Sequence, residues 1–220
     1  MRLRNIPGAR EKIDESKFCV SDPRVYKGRW HELFGNDNPI HMEIGMGKGK
    51  FIMRMAQAHP DINYIGIEMY SSVLVRAVEL AEAADDDTRS GNFVFIRMDA
   101  RELCDVFEKG EAERIYLNFS DPWPKERHAK RRLTSKEFLK RYEQILPGGA
   151  IVEFKTDNCD LFEFSLEQAK EANWEIVAYT NDLHADSELN KGNIMTEYEE
   201  RFSSKGQKIN KMIIKSEKKP

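Results

Sequence analysis

From residue 40 onward, short apolar runs of strand length alternate with segments whose apolar residues recur at helical spacing. Seven runs are predicted strands: 40–44, 63–68, 92–98, 114–119, 150–156, 174–180 and 208–216. Four segments between them are predicted helices: 51–58, 72–84, 134–146 and 161–172. Thr134 and Glu137 have the spacing of a capping box at the start of the third helix. Strands that alternate with helices form βαβ units, so the sequence predicts an α/β fold with a mostly parallel sheet.

The length of 220 residues is enough for one domain with a full core. Residues 1–37 show little periodicity and are predicted to form a basic N-terminal arm, followed by a single domain over residues 38–220. No apolar run approaches the roughly 20 residues of a membrane helix, and the N-terminus has no secretory signal. The three cysteines lie far apart and form neither a metal motif nor a disulfide framework. We therefore expect a cytoplasmic protein without a membrane partner.

Three glycines stand at alternate positions after the first predicted strand: Gly45, Gly47 and Gly49. They allow a tight turn and a close approach of the backbone to a ligand. The dinucleotide fingerprint would need a further glycine where Lys50 stands, which argues against a nicotinamide-dependent oxidoreductase. An acid before Gly-x-Gly-x-Gly, here Glu43, is typical of enzymes that use S-adenosylmethionine (SAM). The alternative is that these glycines only turn the chain.

Each of the first five predicted strands carries an acid at or near its carboxyl end: Glu43, Glu68, Asp99, Asp121 and Asp157. Ligands of such sheets bind at that edge, near the point where the strand order reverses. Glu68 could accept hydrogen bonds from ribose hydroxyls, and Asp99 could reach an adenine amino group. For any single acid the alternative is a solvated loop residue or a helix N-cap. No acid or histidine pair has the spacing of a metal site, so no metal is expected.

A rigid acidic turn runs directly into a basic segment in NFSDPWPKERHAKRRL (118–133). Pro122 and Pro124 fix φ and remove two amide donors, which stiffens the turn that carries Asp121. Trp123 would either stack on a base or cover the end of the sheet. Residues 125–132 hold five Lys/Arg against one acid, although the whole chain has a net charge of −3. This cluster favours a phosphate backbone as partner over a merely solvated loop.

The same stretch resembles the signature of the bacterial tRNA (guanine-N7-)-methyltransferase family. The similarity extends to EIGMGKGKF (43–51), FKTDN (154–158) and NIMTEYEERF (193–202), and it covers almost the whole chain between residues 40 and 209. The resemblance implies a Rossmann-like class I methyltransferase fold, with a seven-stranded mostly parallel sheet and helices on both faces. It also implies SAM as methyl donor, tRNA as substrate and N7 of guanosine 46 in the variable loop as target.

The resemblance further assigns roles to individual residues. Contacts to SAM are implied for the glycine loop and for four acids: Glu43, Glu68, Asp99 and Asp121. Asp121 is also the implied catalytic residue. Substrate contacts are implied for six residues: Lys125, Asp157, Thr196, Glu197, Tyr198 and Glu199. RNA contacts are implied for the basic run: Arg127, His128, Lys130, Arg131 and Arg132.

Guanine N7 carries a lone pair and no proton at neutral pH, so its methylation needs no strong base. We therefore interpret Asp121 as the group that orients the guanine through its N1–H and exocyclic amine and offsets the charge arriving on the ring. Two alternatives stay open: a non-catalytic tRNA-binding protein on a methyltransferase fold, and a methyltransferase for another RNA base. A monomer and a homodimer are both open, and the homodimer is slightly favoured.

Overall fold

Residues 6–84 and 91–216 are described by a computed structural model, in which the chain divides after Glu108 into two units. The first unit has three parallel strands in the order β3-β2-β1. Their bounds are β1 Ile40–Ile44, β2 Asn63–Glu68 and β3 Phe93–Arg97. Four helices of this unit are α1 Ala9–Glu15, α2 Trp30–Phe34, α3 Lys50–Ala58 and α4 Ser71–Ala83. A 3₁₀ turn, Ala100–Glu102, and the short helix α5, Leu103–Val106, follow β3.

The segment predicted as a basic arm contains α1, α2 and a 3₁₀ turn over Pro23–Tyr26. Trp30 is fully buried, stacks on Phe107 with ring centroids 5.1 Å apart, and donates its indole N–H to the Val106 carbonyl at 3.1 Å. A β-bridge joins Cys19 to Phe95 of β3. Residues 1–5 of the predicted arm lie outside the described residues. The division of the chain at residue 37 remains a prediction.

The second unit has four strands in the order β4-β5-β7-β6. They are β4 Arg114–Asn118, β5 Ile151–Thr156, β6 Trp174–Thr180 and β7 Asn210–Ser216. β4 pairs parallel with β5, whereas β7 lies antiparallel between β5 and β6. The helices are α6 Lys136–Ile145, α7 Cys159–Glu171 and α8 Glu197–Ser203, with 3₁₀ helices at Glu126–Arg131 and Leu183–Ala185. The predicted seven-stranded, mostly parallel α/β sheet is confirmed.

The capping box predicted at Thr134 and Glu137 is wrong. α6 begins at Lys136, its N-cap is Ser135, and the Ser135 side chain makes no capping hydrogen bond. Thr134 is buried instead, and its hydroxyl lies 2.7 Å from the hydroxyl of Ser165 in α7. The hydroxyl therefore links the segment before α6 to α7 instead of capping α6. Separately, no helix in the described part of the chain is long and apolar enough to cross a membrane.

Candidate functional site

The glycine loop, residues 45–49, joins the end of β1 to the start of α3. Its three glycines, Gly45, Gly47 and Gly49, have φ of 76°, 58° and 72°. This left-handed region is open to glycine and costly for other residues. The amides of Gly45 and Met46 donate to the Ile67 carbonyl of β2 at 2.9 and 3.1 Å. The backbone conformation thus requires the glycines that the sequence singled out, and β2 holds the loop in place.

Met46 of the glycine loop is buried against β2. A Cβ at Gly66 in the middle of β2 would overlap the Met46 sulfur, so glycine there is what admits this side chain. At the other end of the loop, a Cβ on Gly49 would lie 3.1 Å from the Ala77 Cβ of α4 and 3.3 Å from the ring of Phe95. The loop is therefore tightly packed on its inner side, which fixes the path of its backbone.

Glu68 ends β2, is 7% exposed, and has its carboxylate held by two backbone amides. The Gly47 amide donates to Oε2 at 3.2 Å, and the Tyr70 amide donates to Oε1 at 2.9 Å. The carboxylate is therefore fixed beside the glycine loop, and the ribose contact expected of it remains a prediction. A carboxylate oxygen can accept more than one hydrogen bond, so this position is chemically suited to two neighbouring hydroxyl groups.

Glu43 and Asp99 lie at the same end of the parallel strands as Glu68 but in different surroundings. Glu43 is 2% exposed within β1 and is in register with Gly66 of β2. Asp99 follows β3 and caps the 3₁₀ turn by accepting the Arg101 amide at 2.9 Å. Its two oxygens also contact the Arg101 guanidinium at 2.6 to 3.0 Å, and this contact raises the pKa of Arg101. Arg101 was missed in the sequence.

The Asp121 turn, residues 119–124, leaves β4 in the second unit with an unusual backbone. Phe119 and Trp123 have φ of 52° and 42°, and Asp121 is exposed between them. Left-handed backbone at a residue other than glycine costs about 1–3 kcal/mol and persists only where neighbours hold it. Here the Phe119 amide donates to the Lys155 carbonyl of β5 at 2.8 Å. Left-handed residues thus stand on both sides of the implied catalytic acid, whose role remains a prediction.

The basic run after the turn contains two kinds of cation. Arg132 is half-buried: its Nε donates to the Pro122 carbonyl at 2.9 Å and its Nη2 donates to the Trp123 carbonyl at 3.1 Å. The Arg131 guanidinium lies 4.9 Å from the Trp123 ring, and the His128 ring meets that indole edge-to-face at 5.7 Å. Four cations of the run are exposed, namely Lys125, Arg127, Lys130 and Arg131.

Asp157, which follows β5, contacts the helix α8. The Tyr198 hydroxyl donates to Asp157 Oδ2 at 3.0 Å. Burial raises the pKa of Tyr198, and the hydrogen bond to Asp157 raises it further. The Tyr198 ring lies 4.8 Å from the ring of Phe119 and 4.2 Å from that of Phe202. The structure thus brings two implied substrate residues, Asp157 and Tyr198, next to the first residue of the Asp121 turn.

Glu199 is fully buried and forms an ion pair with Lys155, a residue that the sequence interpretation missed. Its Oε2 lies 2.6 Å from Lys155 Nζ, while Oε1 accepts from Asn193 at 2.8 Å and lies 3.3 Å from His184 Nε2. Burial lowers the pKa of Lys155, and the Glu199 carboxylate opposes that shift. The only signal in the sequence was a lysine inside an apolar strand.

Thr196 is the N-cap of α8, since its Oγ1 accepts from the Glu199 amide at 2.9 Å. Glu197 is the half-exposed first residue of that helix. In this structure Thr196 and Glu199 therefore hold α8 in place, and the substrate contacts implied for them remain predictions. Within residues 6–84 and 91–216, no group of three or more His, Cys, Asp and Glu side chains is arranged to hold a metal ion.

Comparison with known proteins finds methyltransferases that match nearly the whole chain. A family model described as "Putative methyltransferase" matches residues 37–212. A tRNA (guanine-N(7)-)-methyltransferase of Lachnoclostridium phytofermentans is 58% identical over 218 residues, which are 99% of this chain and 100% of that protein. A protein of the same name from Bacillus subtilis is 51% identical over 210 residues, covering 95% and 96%.

Solved structures with a similar fold are also methyltransferases. An antibiotic-related methyltransferase gives a TM-score of 0.62 at 18% identity and covers 85% of this chain and 92% of its own. A 16S rRNA (adenine(1408)-N(1))-methyltransferase from Catenulisporales acidiphilia, solved with its cosubstrate SAM, gives 0.58 at 12% identity, covering 90% and 92%. At such low identity these likenesses show the fold alone. They confirm the Rossmann-like class I methyltransferase fold.

Proposed function

Since the chain belongs to the bacterial tRNA (guanine-N7-)-methyltransferase family, we propose that it transfers the methyl group of SAM to N7 of guanosine 46 in the tRNA variable loop. The observation that carries the proposal is the turn that holds Asp121 between two left-handed residues and packs its first residue, Phe119, against Tyr198, whose hydroxyl donates to Asp157. Position 46 rests on the motifs that this chain shares with the family. A cytoplasmic location and a homodimer remain predictions from the sequence.

The first unit fits SAM by the chemistry of its residues. The glycines of the loop, which have positive φ and no side chain, allow the backbone to approach a ligand closely. The Glu68 carboxylate is held where it can accept hydrogen bonds from ribose hydroxyls. Glu43, a buried acid at the start of the loop, would offset the positive charges of the cofactor. When bound, SAM supplies an electrophilic methyl group on a sulfonium. The cofactor contact proposed for Asp99 would be made by a carboxylate that Arg101 already orients.

Asp121 is proposed to orient the target guanine. Its carboxylate accepts from the N1–H and the exocyclic amine, which turns N7 towards the incoming methyl group. The same negative charge offsets the positive charge that develops on the ring, and this electrostatic effect is strongest in a pre-organised site. The stiff backbone of the Asp121 turn limits the freedom that the carboxylate would otherwise lose on binding. No strong general base is needed, because N7 already offers a lone pair.

Asp157 and Tyr198 are proposed to share in holding the base. The Tyr198 hydroxyl donates to Asp157 and thereby fixes one oxygen of that carboxylate. A tyrosine hydroxyl is protonated at neutral pH, and the upward shift of the Tyr198 pKa acts in the same direction, so the hydroxyl keeps donating. The other oxygen of Asp157 can accept from a guanine N–H group. Lys125, Arg127 and Lys130 are exposed cations that would contact the phosphate backbone on either side of the base.

The test is transfer of radiolabelled methyl from SAM to an unmodified tRNA transcript, with the modified nucleoside identified after digestion. We expect 7-methylguanosine from a transcript with guanosine at position 46 and none when adenosine replaces it. Asp121→Asn should lower kcat by at least about 100-fold while the Kd for tRNA changes little, because the lost charge acts mainly in the transition state. Asp160→Asn, an exposed acid of α7, is the matched control and should retain activity.

Each contrary outcome corresponds to one alternative. A different methylated nucleoside, or equal methylation of both transcripts, would overturn the target. No transfer by a protein that still binds SAM and tRNA would indicate a binding protein on a methyltransferase fold. A parallel loss of kcat and tRNA affinity in Asp121→Asn would make Asp121 a binding residue.

A further inference from the structure

We propose that Arg132 is a positioning residue, which holds the Asp121 turn in its strained conformation rather than binding tRNA phosphates. This inference rests on the proposed function. It separates Arg132 from the exposed cations of the same run, with which the sequence pattern groups it. Three features support it: the carbonyl contacts of Arg132, the ring beneath it and the shape of its guanidinium.

Two successive carbonyls of the Asp121 turn face Arg132. Pro122 and Trp123 follow the last residue of β4 by four and five positions, and neither carbonyl belongs to the sheet ladder. Arg132 Nε reaches the first at 2.9 Å and Nη2 reaches the second at 3.1 Å. The two proline rings deprive the turn of amide donors, so a side chain must supply its internal hydrogen bonds. Arg132 does so on the carboxyl-terminal side of Asp121.

The Arg132 guanidinium is itself fixed by α7. Its central carbon lies 4.2 Å from the centre of the Phe164 ring, which is a close cation–π stack. The backbone amide of Arg132 donates to the Ala129 carbonyl at 3.0 Å and closes the 3₁₀ helix before it. The side chain is therefore held between a helix and the turn, with two of its donors directed inward. Arg127, five residues earlier, is exposed.

Arginine has the geometry that this task requires. A planar guanidinium can donate to two adjacent carbonyls in parallel and stack on a ring at the same time, whereas a lysine ammonium can do neither equally well. Charge alone would therefore not maintain these hydrogen bonds. Because Trp123 has φ of 42°, the turn needs an external restraint to keep that backbone. Without it, Asp121 would sample orientations in which the guanine is no longer aligned.

The first variant, Arg132→Lys, keeps the positive charge and removes the planar guanidinium that donates to two carbonyls at once. The second, Phe164→Leu, keeps every charge and removes the stacking surface. A misplacement of about 1 Å can cost 10²-fold in rate, so we expect kcat to fall about 10–100-fold in Arg132→Lys and by a smaller factor in Phe164→Leu. In both, the KM for tRNA should stay within about twofold and the log–log salt slope of binding should stay unchanged, because the same phosphates remain neutralised.

Arg127→Gln is the contrasting variant in the same run. It should raise the KM for tRNA and reduce the log–log salt slope by about 0.7–0.9, with a smaller effect on kcat. Thermal unfolding and SAM affinity, measured on each variant, show that the fold and the cofactor site are intact. If Arg132→Lys did not fold, the kcat of Phe164→Leu would still test whether Arg132 holds the Asp121 turn.

The inference is overturned if Arg132→Lys and Phe164→Leu both keep the kcat of the wild-type protein. It is also overturned if Arg132→Gln reproduces Arg127→Gln, with weaker tRNA binding and a lower salt slope at nearly full turnover. These outcomes differ from a failure of the proposed function, in which the wild-type protein itself would form no 7-methylguanosine.

Discussion

Glu68 and Asp99 follow neighbouring parallel strands, yet their carboxylates are held by different partners. Backbone amides of the glycine loop and of Tyr70 hold Glu68, whereas the Arg101 side chain holds Asp99. The sequence predicted the end of β2 correctly and that of β3 to within one residue, because each acid stands where an apolar run stops. It could not predict these partners, since they depend on the path of the chain after the strand. Arg101 is only two residues from Asp99, but it belongs to no sequence motif that would have singled it out.

Substitution of Glu68 by glutamine tests the cofactor site. The amide keeps the size of the side chain but loses its charge, and a hydrogen bond to a charged group contributes about 1.5–3 kcal/mol. We therefore expect the Kd for SAM to rise about 10–100-fold, as measured by calorimetry. Glu79→Gln is the control, since Glu79 is an acid of α4 that pairs with Arg76 on the surface. Unchanged SAM affinity in Glu68→Gln would remove this acid from the ribose site.

Among the elements, α8 shows why part of the site escaped the sequence analysis. Apolar runs bounded by glycine or polar residues gave β1, β2 and β6 with their observed limits. In α8 only Glu199 is buried, so no apolar period exists to be recognised. The available signal was the Thr196-x-x-Glu199 spacing, the same capping pattern that was assigned wrongly at Thr134. Here the Thr196 cap forms, while the Glu199 carboxylate turns inward to Lys155.

The Lys155–Glu199 pair makes the stability of this part of the second unit depend on both charges. Lys155→Met leaves the Glu199 carboxylate buried without its ammonium partner, and breaking a buried pair in this way costs about 3–5 kcal/mol. We expect that loss in urea unfolding. The double variant Lys155→Met with Glu199→Leu should recover much of it, because two apolar side chains carry no desolvation penalty. Equal stability of the single and double variants would show that the unpaired Glu199 carboxylate is not the cause of the loss.

At the scale of the whole molecule, the two units divide the implied roles. Except for Asp121, every residue assigned to SAM precedes Glu108, and every residue assigned to the substrate or RNA follows Lys109. The net charge of −3 gives no general attraction to a polyanion, so binding of tRNA must depend on local clusters. The sequence could predict such clusters from their composition. It could not predict which cations point outward, because that depends on the turn that Arg132 holds.

A triple substitution measures the contribution of three of the four exposed cations of the basic run to tRNA binding. Lys125, Arg127 and Lys130 changed together to glutamine should reduce the log–log salt slope by about 0.7–0.9 for each phosphate that is no longer neutralised. The control is a glutamine triple at three exposed lysines of the same unit: Lys109, Lys140 and Lys170. It changes the net charge equally. Similar slopes in the two triples would mean that overall charge, and not this cluster, determines binding.

The position of Trp123 has an optical consequence. Of the three tryptophans in the chain, Trp30 is 0% and Trp174 is 3% exposed, whereas Trp123 is partly open to solvent within the Asp121 turn. A water-soluble quencher such as iodide should therefore extinguish mainly the emission of this one indole. The fluorescence of the unlabelled protein then reports on the turn directly, so that RNA arrival and loosening of the loop can be followed in real time without a dye.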